Sequence, residues 1–259
     1  MMTPQSDQSH APLVEFRKVS FAVNGGAPII DQLNLSIGSG ETMVLLGESG
    51  CGKTTTLKLV NRLLTPTSGE VLVEGRATIA WDVIRLRRRT GYVIQEAGLF
   101  PHFTVEENVA LVPSLEGWDE SRVRERVREL LQLVGLDPEK FADRYPRELS
   151  GGQRQRIGVA RALAADPPLL LMDEPFGALD PLTRTSLQKE FAELKARLGK
   201  TIIFVTHDVR EALLLGSRIA LMDKGRIVLL ETPDNFVRSQ DEHARAYLET
   251  LRNDFVIAP

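Results

Sequence analysis

The residues best suited to chemistry form one glycine-rich segment, Gly47-Glu48-Ser49-Gly50-Cys51-Gly52-Lys53-Thr54, with Thr55 next. It fits the pattern G-x-x-x-x-G-K-[ST], in which glycines let backbone N–H groups turn inward around phosphate oxygens. A helix that begins at the lysine adds the positive end of its dipole. We expect Lys53 to reach the β- and γ-phosphates of ATP, Thr54 to bind Mg²⁺ and Thr55 to contact the α-phosphate. Residues 47–54 are called the phosphate loop below.

A pair of carboxylates, Asp173 and Glu174, directly follows the apolar run Leu169–Met172. If that run is a strand of a parallel sheet, its carboxyl end lies beside the phosphate loop. Asp173 is then expected to hold Mg²⁺ through water, and Glu174 to accept a proton from an attacking water. Acidic residues at strand ends are also common surface features, and the phosphate loop upstream favours the catalytic interpretation.

The elements that position these residues alternate between strand and helix. Met43–Leu46 is a wholly apolar run, typical of a strand buried on both faces, and a helix is expected from about Lys53 to Leu64. This alternation predicts an α/β fold with a mostly parallel sheet. Further strands are expected at Val14–Val23, Leu33–Ile37, Leu169–Met172, Ile202–Val205, Ile219–Met222 and Arg226–Leu230. Further helices are expected near residues 123–134, with Gly135 as C-cap, and at Pro181–Leu198 and Val209–Leu215.

Composition narrows the class of protein. Hydrophobic residues make up 42% of the 259, and the formal net charge is −3, without the basic surplus usual in nucleic-acid binders. The single cysteine fits a reducing compartment. We expect a flexible tail over residues 1–12 that is not a signal peptide, and no segment as long as the roughly 20 apolar residues of a membrane helix.

One pentapeptide, Leu149-Ser150-Gly151-Gly152-Gln153, identifies a family. It resembles the signature of the ATP-binding cassette (ABC) family, and the resemblance extends from about Leu13 to Glu231. Gln95 matches the family's Q-loop, Gly177–Asp180 its D-loop and His207 its switch histidine. The resemblance implies a P-loop NTPase ABC cassette: a mostly parallel sheet core, an antiparallel β part and a helical signature subdomain near residues 95–165. The cassette is expected over residues 13–232, and a short helical tail over 233–259.

The resemblance also implies roles for further residues. Ser150 is expected to cap a helix whose Gly151 and Gly152 N–H groups, with Gln153, form a second anion site. Two copies paired head to tail, most simply a homodimer, would each clamp ATP between one phosphate loop and the other signature.

Three polar positions and one thiol complete the expected site. Gln95 is implied to touch Mg²⁺ or the attacking water, Asp180 to lie at the dimer seam, and His207 to contact the γ-phosphate. A purely structural histidine is the alternative for His207. We expect Cys51 to act in packing rather than redox chemistry. The family's adenine-stacking aromatic aligns with Val23, and Phe21, two residues earlier, is a substitute on the same strand face.

The partners and cargo are implied by resemblance alone. Residues 98–103 match the importer region that receives a helix of a transmembrane permease. Several stretches, such as Val60-Asn61-Arg62-Leu63 and residues 164–168, resemble quaternary-amine importers, so the cargo would be glycine betaine, choline or a relative, delivered by a substrate-binding protein. The protein would act peripherally on the cytoplasmic face of the cell membrane, without nucleic acid. Because the sequence ends at Pro259, the C-terminal nucleotide-sensing modules of some group members are not expected.

Two alternatives remain open. The first is an ABC ATPase for another solute, such as a polyamine, an amino acid, a sulfonate or an exported molecule. The second is a soluble ABC ATPase that acts on nucleic acid or ribosomes. The identity of the membrane partner would separate them.

Overall fold

The computed structural model describes residues 11–253. The expected tail at residues 1–12 therefore lies almost wholly outside the described residues, as do the last six of the expected C-terminal tail. The strands are β1 (Val14–Ala22), β2 (Pro28–Ile37), β3 (Thr42–Gly47), β4 (Ser68–Val73), β5 (Arg76–Ala77), β6 (Thr90–Val93), β7 (Leu169–Asp173), β8 (Thr201–Thr206), β9 (Arg218–Asp223) and β10 (Arg226–Glu231). The helices are α1 (Lys53–Val60), α2 (Val83–Arg88), α3 (Val105–Leu115), α4 (Glu120–Leu133), α5 (Pro138–Phe141), α6 (Gly151–Leu163), α7 (Pro181–Leu198), α8 (Val209–Leu215), α9 (Pro233–Arg238) and α10 (Glu242–Asn253).

A six-stranded sheet with the order β10-β9-β3-β8-β7-β6 forms the centre of the fold. Its strands are parallel except for β10, which pairs antiparallel with β9. Every residue of β3 is buried; Val44 and Leu46 face one hydrophobic core, and Met43 and Leu45 face the other. A strand covered on both faces must be apolar throughout, which explains the continuous runs in the sequence. The carboxyl ends of β3, β6, β7 and β8 consequently meet at one edge.

A second sheet, with the order β2-β1-β4-β5, is entirely antiparallel. Its inward residues, including Phe16, Ile30 and Val71, share one hydrophobic core with α1 and one face of the central sheet. This sheet therefore supports the phosphate loop from the side of β2.

Helices α3 to α6 lie between β6 and β7 in sequence and pack on the opposite face. Helix α4 buries Val123, Val127, Leu130 and Leu131, as its spacing predicts, and Gly135 follows it with φ 72°. Side chains cap α3 and α6, since Thr104 and Ser150 each form a reciprocal capping box.

The observed elements differ from the predicted ones at several points, among them the start of β2, which is at Pro28 rather than Leu33. Helix α1 ends at Val60 rather than Leu64, because Arg62 adopts a left-handed φ of 53° and the amides of Leu63 and Leu64 both bond to the Lys58 carbonyl. The sequence does not predict the short strands β4, β5 and β6. Strand β6 is only four residues long, with a glycine at its second position, so no periodicity marks it.

Candidate nucleotide-binding site

The phosphate loop joins the buried end of β3 to the start of α1, and close packing requires its glycines. A Cβ added to Gly47 would stand 2.5 Å from the Met222 carbonyl oxygen. Gly52 has φ 109°, and a Cβ there would lie 2.6 Å from Ile30. The Gly225 amide donates to the Cys51 carbonyl at 3.0 Å, which ties the loop to the β9–β10 turn. Any side chain at Gly47 or Gly52 would displace backbone.

Lys53 is a buried cation with only 4% of its surface exposed. Its Nζ donates to the carbonyl oxygens of Gly47 and Glu48, at 2.8 Å each. Among the described residues it forms no ion pair. A buried charge that is held by neutral dipoles alone is stabilised further by an external anion. These contacts therefore fit a phosphate-binding lysine.

Asp173, at the end of β7, is held by two hydroxyl groups. The Thr54 hydroxyl donates to Asp173 Oδ1 at 2.8 Å, and the Tyr92 hydroxyl donates to Oδ2 at 3.3 Å. Burial raises the pKa of Asp173, and the hydrogen bonds from Thr54 and Tyr92 oppose that rise. Residues 11–253 contain no group of three or more His, Cys, Asp or Glu that could hold a metal. Mg²⁺ commonly takes only one or two protein oxygens besides phosphate and water, so Thr54 and Asp173 fit it.

Glu174, His207 and Gln95 meet next to this pair. Glu174 adopts a left-handed φ of 44°, and its amide donates to the Val205 carbonyl at 3.0 Å. Its Oε2 lies 3.1 Å from His207 Nδ1, where the bond depends on the histidine tautomer. Gln95 Nε2 and Glu174 Oε2 lie 3.0 and 3.6 Å from the point where Gly177 would carry a Cβ. Residues other than glycine and asparagine seldom adopt a left-handed backbone, and at Glu174 this backbone turns the carboxylate toward His207.

A buried network that sequence reasoning missed supports the backbone of His207. Thr206 donates to Glu211 Oε2 at 2.5 Å, and Gln188 of α7 donates to Glu211 Oε1 at 2.8 Å. The Asp208 amide donates back to the Thr206 hydroxyl at 2.9 Å. Burial raises the pKa of Glu211, and the hydrogen bond from Thr206 partly offsets this by lowering it. An acid four residues after a histidine carries no sequence signal of burial by itself.

The signature residues form the start of α6 and lie apart from the phosphate loop. The Gln153 amide donates to Ser150 Oγ at 3.3 Å, and the Ser150 amide donates to Gln153 Oε1 at 2.9 Å. A Cβ at Gly152 would meet Thr183 at 2.7 Å, which packs the signature against the start of α7. No hydrogen bond within residues 11–253 joins the signature to the phosphate loop. Among the described residues of one chain, no hydrogen bond thus links the two segments that the sequence predicts to bind anions.

Asp180, expected at the dimer seam, is exposed and caps α7. Its Oδ1 accepts from the Thr183 amide at 3.0 Å, and hydrogen bonding with Thr183 lowers its pKa. Cys51 is 7% exposed, and burial raises the pKa of its thiol. Ser49 is exposed in the phosphate loop, and Thr55 lies in the first turn of α1.

The expectation that Phe21 and Val23 share a strand face is wrong. Strand β1 ends at Ala22, and its pairing with β2 shifts register on both sides of Phe21, so the two-residue alternation does not hold there. Phe21 is partly buried against the core that includes Ile30, whereas Val23 is 54% exposed in the following turn.

Among the described residues, every helix is too short or too polar to span a bilayer.

Residues 30–177, more than half of the chain, match the family model for the ABC transporter. The chain is 53% identical over 227 residues to the glycine betaine/carnitine/choline transport ATP-binding protein OpuCA of Bacillus subtilis, a match that covers 88% of this chain and 60% of that protein. It is 53% identical over 219 residues to the osmoprotectant import ATP-binding protein OsmV of Salmonella typhimurium, covering 84% and 57%. The chain thus spans about 60% of the length of these curated relatives.

Among solved structures, the chain resembles the ATP-binding cassette MJ0796, in a dimeric post-hydrolysis state bound to ADP and Pi. The TM-score is 0.75 and the identity 34%, with 85% of this chain and 98% of the other covered. The predicted cassette fold, with a mostly parallel sheet beside an antiparallel one and helices inserted between β6 and β7, is thereby confirmed. With its signature pentapeptide, phosphate loop and acidic strand end in this fold, the chain belongs to the ABC transporter family, as an ATP-binding domain.

Proposed function

We propose that this chain is the ATP-hydrolysing subunit of an ABC importer, that it binds MgATP, and that it works as a pair of copies. One observation carries the proposal: the Thr54–Asp173 pair and the Glu174–His207 pair stand side by side at the carboxyl edge of the central sheet. Next to them is a buried lysine with no carboxylate partner among the described residues. Convergence of a cation, a metal-binding pair and a base is what phosphoryl transfer to water requires.

Different residues of the chain are assigned to phosphate binding, Mg²⁺ binding and proton transfer. Lys53 and the loop N–H groups bind the β- and γ-phosphates, and Thr54 and Asp173 are the side chains that would hold Mg²⁺, with Gln95 a third candidate. When bound, Mg²⁺ would neutralise part of the negative charge on the phosphates. Glu174 takes the proton from the attacking water, as a general base. His207, whose Nδ1 lies 3.1 Å from Glu174 Oε2, would hold that carboxylate and contact the γ-phosphate.

A second copy would complete each site. Ser150 is exposed, and the N-terminal amides of α6 would form an anion site. A two-fold arrangement brings Ser150, Gly151, Gly152 and Gln153 of each copy to the ATP on the other. The dimeric state of the similar cassette MJ0796 supports this assembly. Exposed Asp180 would lie at the seam.

A cleft of about 440 Å³ beside β6 is the proposed seat for a permease helix. Its lining includes Ile94, Gly98, Phe100 and Leu111 together with three arginines, so a helix with one apolar and one polar face would fit. Asn108 is fully buried and holds the neighbouring loop: its Oδ1 accepts from the Phe100 amide at 2.8 Å, and its Nδ2 donates to three carbonyls of residues 100–104. An ordered loop of this kind is a preformed docking surface.

The cargo of the proposed transporter is a quaternary-amine osmoprotectant such as glycine betaine or choline. Identities of 53% to transport proteins named for glycine betaine, carnitine, choline and osmoprotectants support it. The chain would then be peripheral on the cytoplasmic face of the membrane and would work with a permease and a substrate-binding protein. Residues 13–232 would form the cassette, with its helical subdomain near 95–165, and residues 233–259 a helical tail.

The experiment is purification of the Glu174→Gln variant from native membranes in the presence of ATP, followed by identification of the proteins that accompany it. We expect a multi-span permease and a binding protein whose pocket is an aromatic cage for quaternary ammonium. Glu231→Gln is the matched control, because it makes the same chemical change at the end of β10, outside the site. Cells with that control should take up labelled glycine betaine normally, and cells with Glu174→Gln should not.

Other outcomes separate the alternatives. A permease accompanied by a different class of binding protein would retain the transporter and discard the osmoprotectant. Ribosomal or DNA-bound partners without a permease would contradict transport altogether.

A further inference from the structure

The Tyr92 hydroxyl contacts Asp173 on the Mg²⁺ side of the site but has no part in the proposed chemistry. It donates to Asp173 Oδ2 at 3.3 Å, from β6, the strand next to β7 at the edge of the central sheet. The pairing of Val93 with Met172 fixes the two strands in register and places Tyr92 and Asp173 near each other. The contact is therefore built into the sheet rather than left to a mobile side chain.

The two oxygens of Asp173 have separate holders. Thr54, one residue after the phosphate-loop lysine, donates to Oδ1 at 2.8 Å, so that oxygen is tied to the nucleotide-binding loop. Tyr92 is the donor to the other oxygen. With both donors in place, rotation of the carboxylate about its last torsion is restricted, since a donor stands on each side.

We infer that Tyr92 is a positioning residue for Asp173: its hydroxyl orients the carboxylate that would hold Mg²⁺ with the nucleotide. This rests on the proposed role of Asp173. Partners that orient a metal-binding carboxylate without touching the metal typically alter metal affinity by about 10- to 100-fold. Because the 3.3 Å bond is long, the lower end, about tenfold, is the expected effect of its loss.

The test is the variant Tyr92→Phe, which removes only the hydroxyl and keeps the partly buried ring. Mn²⁺ replaces Mg²⁺ as the probe, and the free ion is measured by electron paramagnetic resonance in the presence of a non-hydrolysable ATP analogue. Binding of trinitrophenyl-ATP in EDTA reports the nucleotide site without metal. Tyr145→Phe is the matched control, since it removes the same hydroxyl from the helical region just before the signature, where Tyr145 is 36% exposed.

We expect Tyr92→Phe to weaken Mn²⁺ binding about tenfold, with unchanged nucleotide binding in EDTA, and Tyr145→Phe to match the wild type in both measurements. Unchanged Mn²⁺ affinity in Tyr92→Phe would overturn the positioning role and leave the proposed function intact. An equal loss of nucleotide binding in EDTA would also overturn it, because the defect would then lie in the fold of the site. A wild-type chain without metal-dependent nucleotide binding would instead contradict the proposed function itself.

Discussion

Ser150 allows a negative charge to be placed in the signature without loss of the helix cap. Its Oγ accepts from the Gln153 amide, and aspartate and asparagine cap helices about as well as serine. The variant Ser150→Asp should therefore fold like the wild type, while its carboxylate opposes a phosphate group that approaches from a second copy. Two unit charges about 4 Å apart interact by about 4 kcal/mol at the effective dielectric of a protein surface. Salt screening reduces this figure, and we expect about a hundredfold loss of ATP turnover.

The assay compares Ser150→Asp with Ser150→Asn, which keeps the cap and adds no charge. Turnover is measured over a range of protein concentrations, and ATP binding to the single chain is measured separately. Binding at the phosphate loop should be equal in both variants, because the signature of one chain forms no hydrogen bond to its own loop within the described residues. Turnover at the wild-type rate in both variants would refute a second copy's signature at the phosphate. An equal loss in both would point instead to the serine hydroxyl itself.

The remaining predictions concern the thiol, the adenine side and the sheet. Maleimide should label Cys51 slowly at neutral pH and faster as the pH rises, because burial raises the pKa of the thiol and only the thiolate reacts. Bound ATP should protect Cys51 from maleimide. An equal labelling rate with and without ATP would contradict the placement of the phosphate loop at the nucleotide. Phe21→Ala should raise the Kd for ATP in equilibrium titrations, because Phe21 pairs with Ile30, which packs against the phosphate loop at Gly52; an unchanged Kd would remove Phe21 from the site. Gly91→Ala places a Cβ 2.4 Å from the Ala162 carbonyl oxygen, so urea titration should show that the free energy of unfolding falls by about 1–3 kcal/mol. Gly38→Ala is the control and should have a smaller effect, because the nearest atom to its Cβ is 3.5 Å away.

Much of the fold and the site could be predicted from the sequence, because the relevant signals are local. The phosphate loop needs its glycines for backbone geometry, and the apolar runs of β3, β7 and β8 follow from burial on both faces. Helix α4 has an apolar spacing that fixes which face is buried, and it ends just before Gly135, whose backbone is left-handed.

The parts that could not be predicted depend on contacts between residues far apart in sequence. Tyr92 reaches Asp173 across 81 positions, and Gln188 reaches Glu211 from another helix. The sequence does not reveal that β1 ends at Ala22. Its irregular pairing with β2 breaks the two-residue alternation that would place Phe21 and Val23 on one face. Only the assembled sheet shows these relations.

The most direct test of the central claim is sedimentation of the Glu174→Gln variant with and without MgATP. Without its general base the chain should bind ATP and hold it, so the account predicts a species of about twice the 28.8 kDa chain mass with MgATP and a single chain without it. Hydrolysis in the same samples should fall by about 10²- to 10⁴-fold. A variant that stays a single chain while saturated with ATP, or that hydrolyses ATP near the wild-type rate, would contradict an ATP clamped between two copies with Glu174 as its base.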